Sequence, residues 1–293
     1  MAGTGSRSRV RVRLLALLLS SAALSAADFV GADLLSGSIA RGLEKAGGMS
    51  STDFAGTLPG RKDFIEGKAA VAVLMMRERD AAPVVTGRIG LAEFRLASSV
   101  VVVATHATNR AEQITLENLA NSFAHVARSP AENWNDLDPA ARSELITPAV
   151  CSPAGTMALE IFQGIVLEGG SFRSHVRLRV EPDLAADLLA SRVGSIVLLP
   201  RPPTSRGKVL MVSDGRPGRA TTAYGPDENN VHNGDYPLQV PLVVYVRADR
   251  VSSVSPALRW LFSDEAADLL EKQGLYPAPK AIRMRYLQRL DTR

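Results

Sequence analysis

Three short apolar runs limit what this chain can become. Residues 69–76 (AAVAVLMM), 100–104 (VVVVA) and 194–199 (GSIVLL) carry no charge. A strand with one wet face alternates polar and apolar side chains, so a strand without that alternation is covered on both faces. Runs this short, rich in valine and bounded by turn residues, read as strands and not helices.

Amphipathic segments lie between them. Residues 38–44 read as a helix closed by Gly47 and Gly48. Thr115 caps a helix that gathers Leu116, Leu119, Ala120 and Phe123 on one face. After Pro153, Ala158, Ile161, Phe162 and Ile165 form a second stripe, closed by Gly169 and Gly170. Residues 184–189, 255–262 and 264–272 read as further helices; 29–32, 149–151, 209–212 and 238–246 read as strands. Pro241 inside the last strand predicts an edge or crossing strand. Residues 202–233 are rich in Gly, Pro, Asp, Asn and Arg and read as loop. The tail from Lys280 reads as a solvated terminal helix. Buried strands alternating with helices give an α/β fold, and 46% hydrophobic residues suffice for its core.

The positive charge is confined to the start. Arg7, Arg9, Arg11 and Arg13 precede a short apolar core at residues 14–19, and small residues at Ser25 and Ala27 suit a signal-peptidase site. Residues 1–27 therefore read as a signal peptide, with an uncleaved anchor as the alternative, and the chain as exported to the periplasm. The apolar stretch is short of the ~20 residues of a membrane span. Without those four arginines, 30 basic residues face 30 acidic ones, which removes the reason to expect nucleic acid or an anionic membrane as a partner. A lone cysteine, Cys151, excludes a disulfide framework and CxxC chemistry. His106, His125, His175 and His232 have no metal-ligand spacing. With no GxSxG, Walker or GxGxxG motif, the sequence predicts neither an enzyme nor a cofactor.

Five segments in order resemble the phosphate-type family of periplasmic substrate-binding proteins, the receptors of ABC importers. Residues 29–35 (FVGADLL) are similar to its opening strand and first ligand loop. Residues 114–123 with Asn133-Trp134-Asn135-Asp136 resemble its NWND segment. Ser152-Pro153-Ala154-Gly155-Thr156 with Phe162 resembles its phosphate loop. Gly234-Asp235-Tyr236-Pro237-Leu238 and Val243-Val244-Tyr245-Val246 resemble its return strand, and residues 262–265 with 274–277 its closing helix. The resemblance implies a type 2 periplasmic-binding-protein fold, a monomer whose two lobes are joined by two crossing hinge segments. Residues 28–98 plus 240–293 would form lobe one and 99–239 lobe two, with 96–104 crossing out and 236–246 crossing back. It also implies a small anion, phosphate being the candidate, held between Ala32, Asp33 and Leu34 on one side and Ser152, Ala154, Gly155 and Thr156 on the other, and delivered to an ABC permease that provides the only membrane contact. A non-transport sensory or protein-interaction descendant of the fold is the alternative.

The residues suit such chemistry in part. Small residues before a helix let backbone N–H groups approach an oxyanion, and Thr156 would add a hydroxyl donor; the same residues also read as a plain turn. Asp33 reads either as a cap of the first helix or as a ligand contact. The family's loop arginine is absent at Val150 and Cys151, and its third-strand aspartate falls at Met75 or Met76. The 56–60 stretch matches its second ligand loop poorly. Arg77 and Arg79 read either as replacements for the lost charge or as solvated loop arginines. The phosphate site is thus expected to be degenerate.

Overall fold

The computed structural model describes residues 28–47, 51–77, 90–204, 207–215 and 221–291. The signal peptide expected at 1–27, together with Gly48, Arg79 and Arg293, lies outside the described residues. Two sheets organise the chain. The first has six strands in the order β13-β4-β12-β3-β1-β2: β1 (Phe29–Gly31), β2 (Thr52–Asp53), β3 (Val71–Met75) and β4 (Leu91–Val100), with β12 (Gln239–Arg247) and β13 (Tyr276–Pro277) returning from far along the chain. The second has five strands in the order β10-β5-β9-β7-β8: β5 (Val102–His106), β7 (Thr147–Cys151), β8 (Arg177–Val180), β9 (Ser195–Leu199) and β10 (Gly207–Val209). A small parallel pair joins β6 (Gln113–Thr115) to β11 (Met211–Ser213).

The all-apolar runs are covered on both faces. On β3, Val71 and Val73 pack in one cluster with Ile39 and Leu43 of α1 (Ser38–Gly47) and Val254 and Leu258 of α8 (Val251–Leu261). Ala72 and Leu74 pack in another with Phe64 of α2 (Thr57–Ile65) and Tyr245. Helices α9 (Asp264–Lys272) and α10 (Lys280–Asp291) complete this first lobe. The second lobe has one core, to which α3 (Leu116–Phe123), α4 (Trp134–Leu137), α5 (Ala158–Ile165), α6 (Pro182–Ser191) and α7 (Glu228–Asn233) contribute. Thr115 caps α3 by accepting the Asn118 N–H at 2.9 Å. The Asp136 carboxylate accepts the Glu132 and Asn133 N–H groups at 2.9 and 2.8 Å, and these backbone bonds hold its pKa below the ordinary value. No helix among the described residues is long and apolar enough to cross a membrane.

Only Val101 separates β4 in the first sheet from β5 in the second. Its N–H donates to the Leu238 carbonyl at 2.9 Å. Its carbonyl accepts the buried Tyr236 hydroxyl at 2.7 Å. The outgoing and returning strands therefore cross side by side, with Gln239 opposite Val100. The run expected as one strand at 100–104 is split at Val101, because the return strand takes both of that residue's backbone groups.

Other expectations are corrected by context. Pro241 is not one of these: it lies on β12, the returning crossing strand, between β3 and β4, which is the crossing and not the edge reading of that proline. A register shift at Leu242/Val243 adjoins it, and its carbonyl accepts the Met76 N–H at 3.2 Å. The helix expected from residue 255 begins at Val251 and holds Pro256 within it. The stretch at 202–233 carries β10, β11 and α7. In the C-terminal helix Arg283 is buried, donates to the Ala278 and Phe262 carbonyls at 3.1 and 3.3 Å, and pairs with Asp264 at 2.9 Å. Two glycines set the start of the cleft: a Cβ on Gly60 would lie 2.6 Å from the Gly31 Cα, and one on Gly31 (φ +145°) 1.9 Å from the Val73 carbonyl oxygen. No other residue lets α2 pack this closely on β1.

Tyr236→Phe leaves a buried Val101 carbonyl without its donor, so unfolding free energy should fall by about 1–3 kcal/mol in chemical denaturation. An unchanged midpoint would show that the hydroxyl bond does not hold the crossing.

Candidate ligand-binding cleft

Two cavities open between the lobes, of about 600 and about 690 Å³. Leu34 and Met75 of the first lobe and Met157 of the second line both of them. These three apolar side chains divide the cleft into two chambers. Ala154, Gly155 and Thr156 line the smaller chamber; Ala32 and Asp33 line the larger; Leu34 lines both. Ser152 lines neither, although its neighbours Cys151 and Pro153 line the smaller one.

Residues 152–157 form the turn that opens α5, with Met157 at the N-cap. The Thr156 hydroxyl donates to the Pro153 carbonyl at 2.8 Å, and the Thr156 N–H shares that acceptor at 3.1 Å. The side-chain donor expected to face a solute is therefore spent inside the turn. What the turn offers the chamber is backbone: the first-turn N–H groups of a helix have no intrahelical acceptor. Asp33 does not cap α1. It starts a 3-10 turn (Asp33–Leu35), its exposed carboxylate accepts the Leu34 N–H at 3.1 Å, and α1 begins later, at Ser38.

Met75 stands where the sequence suggested a lost aspartate. It lines both chambers, and its N–H donates to the Thr57 hydroxyl at 3.2 Å. Cys151 is buried, and desolvation first, then the Glu181 charge, push its thiol pKa up, so it is a neutral wall and not a nucleophile. Residues 56–59 and Arg61, a poor motif match in sequence, line the larger chamber at the start of α2. The Gly-rich stretch before a helix was the available signal for them.

The cations are arranged by helix ends. Arg77 donates to the Gly164 carbonyl at 3.1 Å, in the last turn of α5. Arg201 donates to the Glu271 carbonyl in the last turn of α9. Arg95 donates to the His232 carbonyl in the last turn of α7 and to Gln239 Oε1 at 2.8 Å. In each case a guanidinium from one lobe meets a carbonyl at the C-terminal turn of a helix in the other. Such carbonyls lack intrahelical donors and carry the negative end of the helix dipole. Arg77 is thus a bridge between lobes, in place of the two sequence alternatives of solvated loop residue and replacement charge.

Ser152, His175 and Asp183 make no bond to one another among the described residues, and the latter two are exposed. Among the described residues no group of three His, Cys, Asp or Glu side chains could hold a metal.

No family model and no curated protein matches the sequence. The structure is similar to a possible phosphate binding protein from Planctomyces limnophilus, with a TM-score of 0.69 at 21% identity over 90% of this chain and 96% of that one. It is also similar to PstS from Borrelia burgdorferi (TM-score 0.63, 14% identity, 86% and 98% covered) and to an ABC-type phosphate transport receptor from Vibrio cholerae (0.55, 14%, 84% and 98%). At these identities the likeness shows the fold: two α/β lobes with the chain passing twice between them.

Thr156→Val should lower stability by about 0.5–1.5 kcal/mol through loss of the Pro153 bond, while anion affinity measured by calorimetry stays within about threefold. A tenfold loss of affinity at unchanged stability would put the hydroxyl on the solute.

Proposed function

We propose that this chain is an exported, monomeric solute-binding protein that takes a small anion between its lobes and presents it to an ABC permease. Residues 28–98 plus 240–293 would form one lobe and 99–239 the other, after removal of residues 1–27 in the periplasm. One observation carries the reading. Both chambers draw their walls from both lobes, with Leu34 and Met75 facing the turn at 153–157 across a paired-strand hinge. A solute held there is gripped by both halves and favours their closure.

Leu34, with Met75, would supply one wall and Ala154, Gly155 and Thr156 the other, the latter through backbone N–H groups at the positive end of α5, while Ala32 and Asp33 would serve the neighbouring chamber instead. Phosphate is a poor fit. A charge-assisted hydrogen bond contributes about 1.5–3 kcal/mol, or roughly ten- to a hundredfold in affinity. The chain lacks the arginine and the aspartate that the resemblance calls for. The reading of a non-transport descendant is favoured by a separate observation: three arginines already bridge the lobes with protein groups alone.

Calorimetry with phosphate, sulfate and small organic acids decides between them. We expect saturable binding of at least one anion, with phosphate weaker than about 1 μM. Sub-micromolar phosphate binding would contradict the degenerate site, and no heat with any anion would favour the non-transport reading.

A further inference from the structure

The smaller chamber has a chemistry of its own. Its walls include Leu189, Leu199, Pro182, Pro202, Met75 and Leu275, all apolar. An inorganic oxyanion brought here would exchange water for hydrocarbon on most sides, which is costly without donors to replace the water. Its volume of about 600 Å³ lies in the range of pockets that enclose organic molecules.

Charge is present at one end only. Arg201 and Lys272 line the chamber, and among the described residues no carboxylate does. The two are neighbours, because Arg201 donates to the carbonyl of Glu271, the residue before Lys272. Arg201 commits one N–H there; the Lys272 side chain has no hydrogen bond or ion pair among the described residues. A cavity with an apolar body and a cationic end is complementary to a molecule built the same way with the opposite sign.

We propose that this chamber takes a monoanionic organic acid with an aliphatic body. Its carboxylate meets Lys272 and Arg201, and its hydrocarbon lies along Leu189, Leu199 and the proline wall at residues 200–203. The assignment rests on the reading of the inter-lobe cleft as a solute site and names its class of solute.

Calorimetry on the purified protein with butyrate, hexanoate, octanoate, 1-octanol and inorganic phosphate tests it. Affinity should rise about fourfold per methylene along the carboxylates, and phosphate should bind more weakly than octanoate. Lys272→Glu, an exposed substitution, should weaken octanoate tenfold or more and leave 1-octanol within twofold. Ala186→Trp, which fills the chamber from the exposed side of α6, should abolish binding of both. Phosphate binding with no chain-length dependence would overturn this assignment and leave the solute-binding reading standing. Octanoate binding that ignores Lys272→Glu would overturn it as well, and failure of every anion to bind would overturn both.

Discussion

Everything about the cleft follows from how Val101 is satisfied. A chain that leaves one sheet for another exposes backbone groups at the crossing, and buried backbone groups must be paired. Here the return strand supplies both partners, Leu238 to the N–H and Tyr236 to the carbonyl. The two crossings are consequently adjacent and antiparallel. The second lobe is an insertion between β4 and β12, two interior strands of the first sheet, and β12 and β13 flank β4 on its two sides. Burial raises the Tyr236 phenol pKa far above its ordinary value, so it remains a hydroxyl donor at any physiological pH. A two-stranded hinge can bend while keeping these bonds, which is what closure around a solute requires.

The electrostatics of the cleft follow from helix ends more than from net charge. Arg77, Arg95 and Arg201 occupy the C-terminal carbonyls of α5, α7 and α9 across the gap. They cover the negative helix ends that face the other lobe and tie the lobes together. The turn at 153–157 leaves the positive end of α5 at the smaller chamber, whose walls carry cations and, among the described residues, no acid. The larger chamber mixes Arg61 and Arg77 with Asp33 and Glu160. The chain thereby gathers positive charge at the smaller chamber, where low-dielectric walls strengthen it.

The legible parts of the sequence were those decided locally. The apolar run at 69–76 became a strand sealed on both faces; Thr115 capped its helix; Gly274 ended another. The ordered motifs foretold the two-lobed fold, and several prove to be structural devices: Asp136 of the NWND segment ties down a loop, and Tyr236 holds the crossing. What was illegible depended on distant partners. Nothing near Val101 signals that it belongs to neither strand. Pro256 reads as a helix start until α8 is seen to pack on α1, where a Cβ on Gly42 would lie 2.0 Å from the Trp260 ring. The Thr156 hydroxyl turned inward to Pro153, and Arg201 found an acceptor seventy residues away. Such pairings are set by the fold and leave no local pattern.

The most direct test of a solute held between the lobes is native mass spectrometry of the protein purified from its own host. The account predicts one small anionic molecule per chain, released on unfolding and absent from Lys272→Glu. A bare chain in every preparation, taking up nothing on incubation with an extract of the host's small molecules, would contradict it.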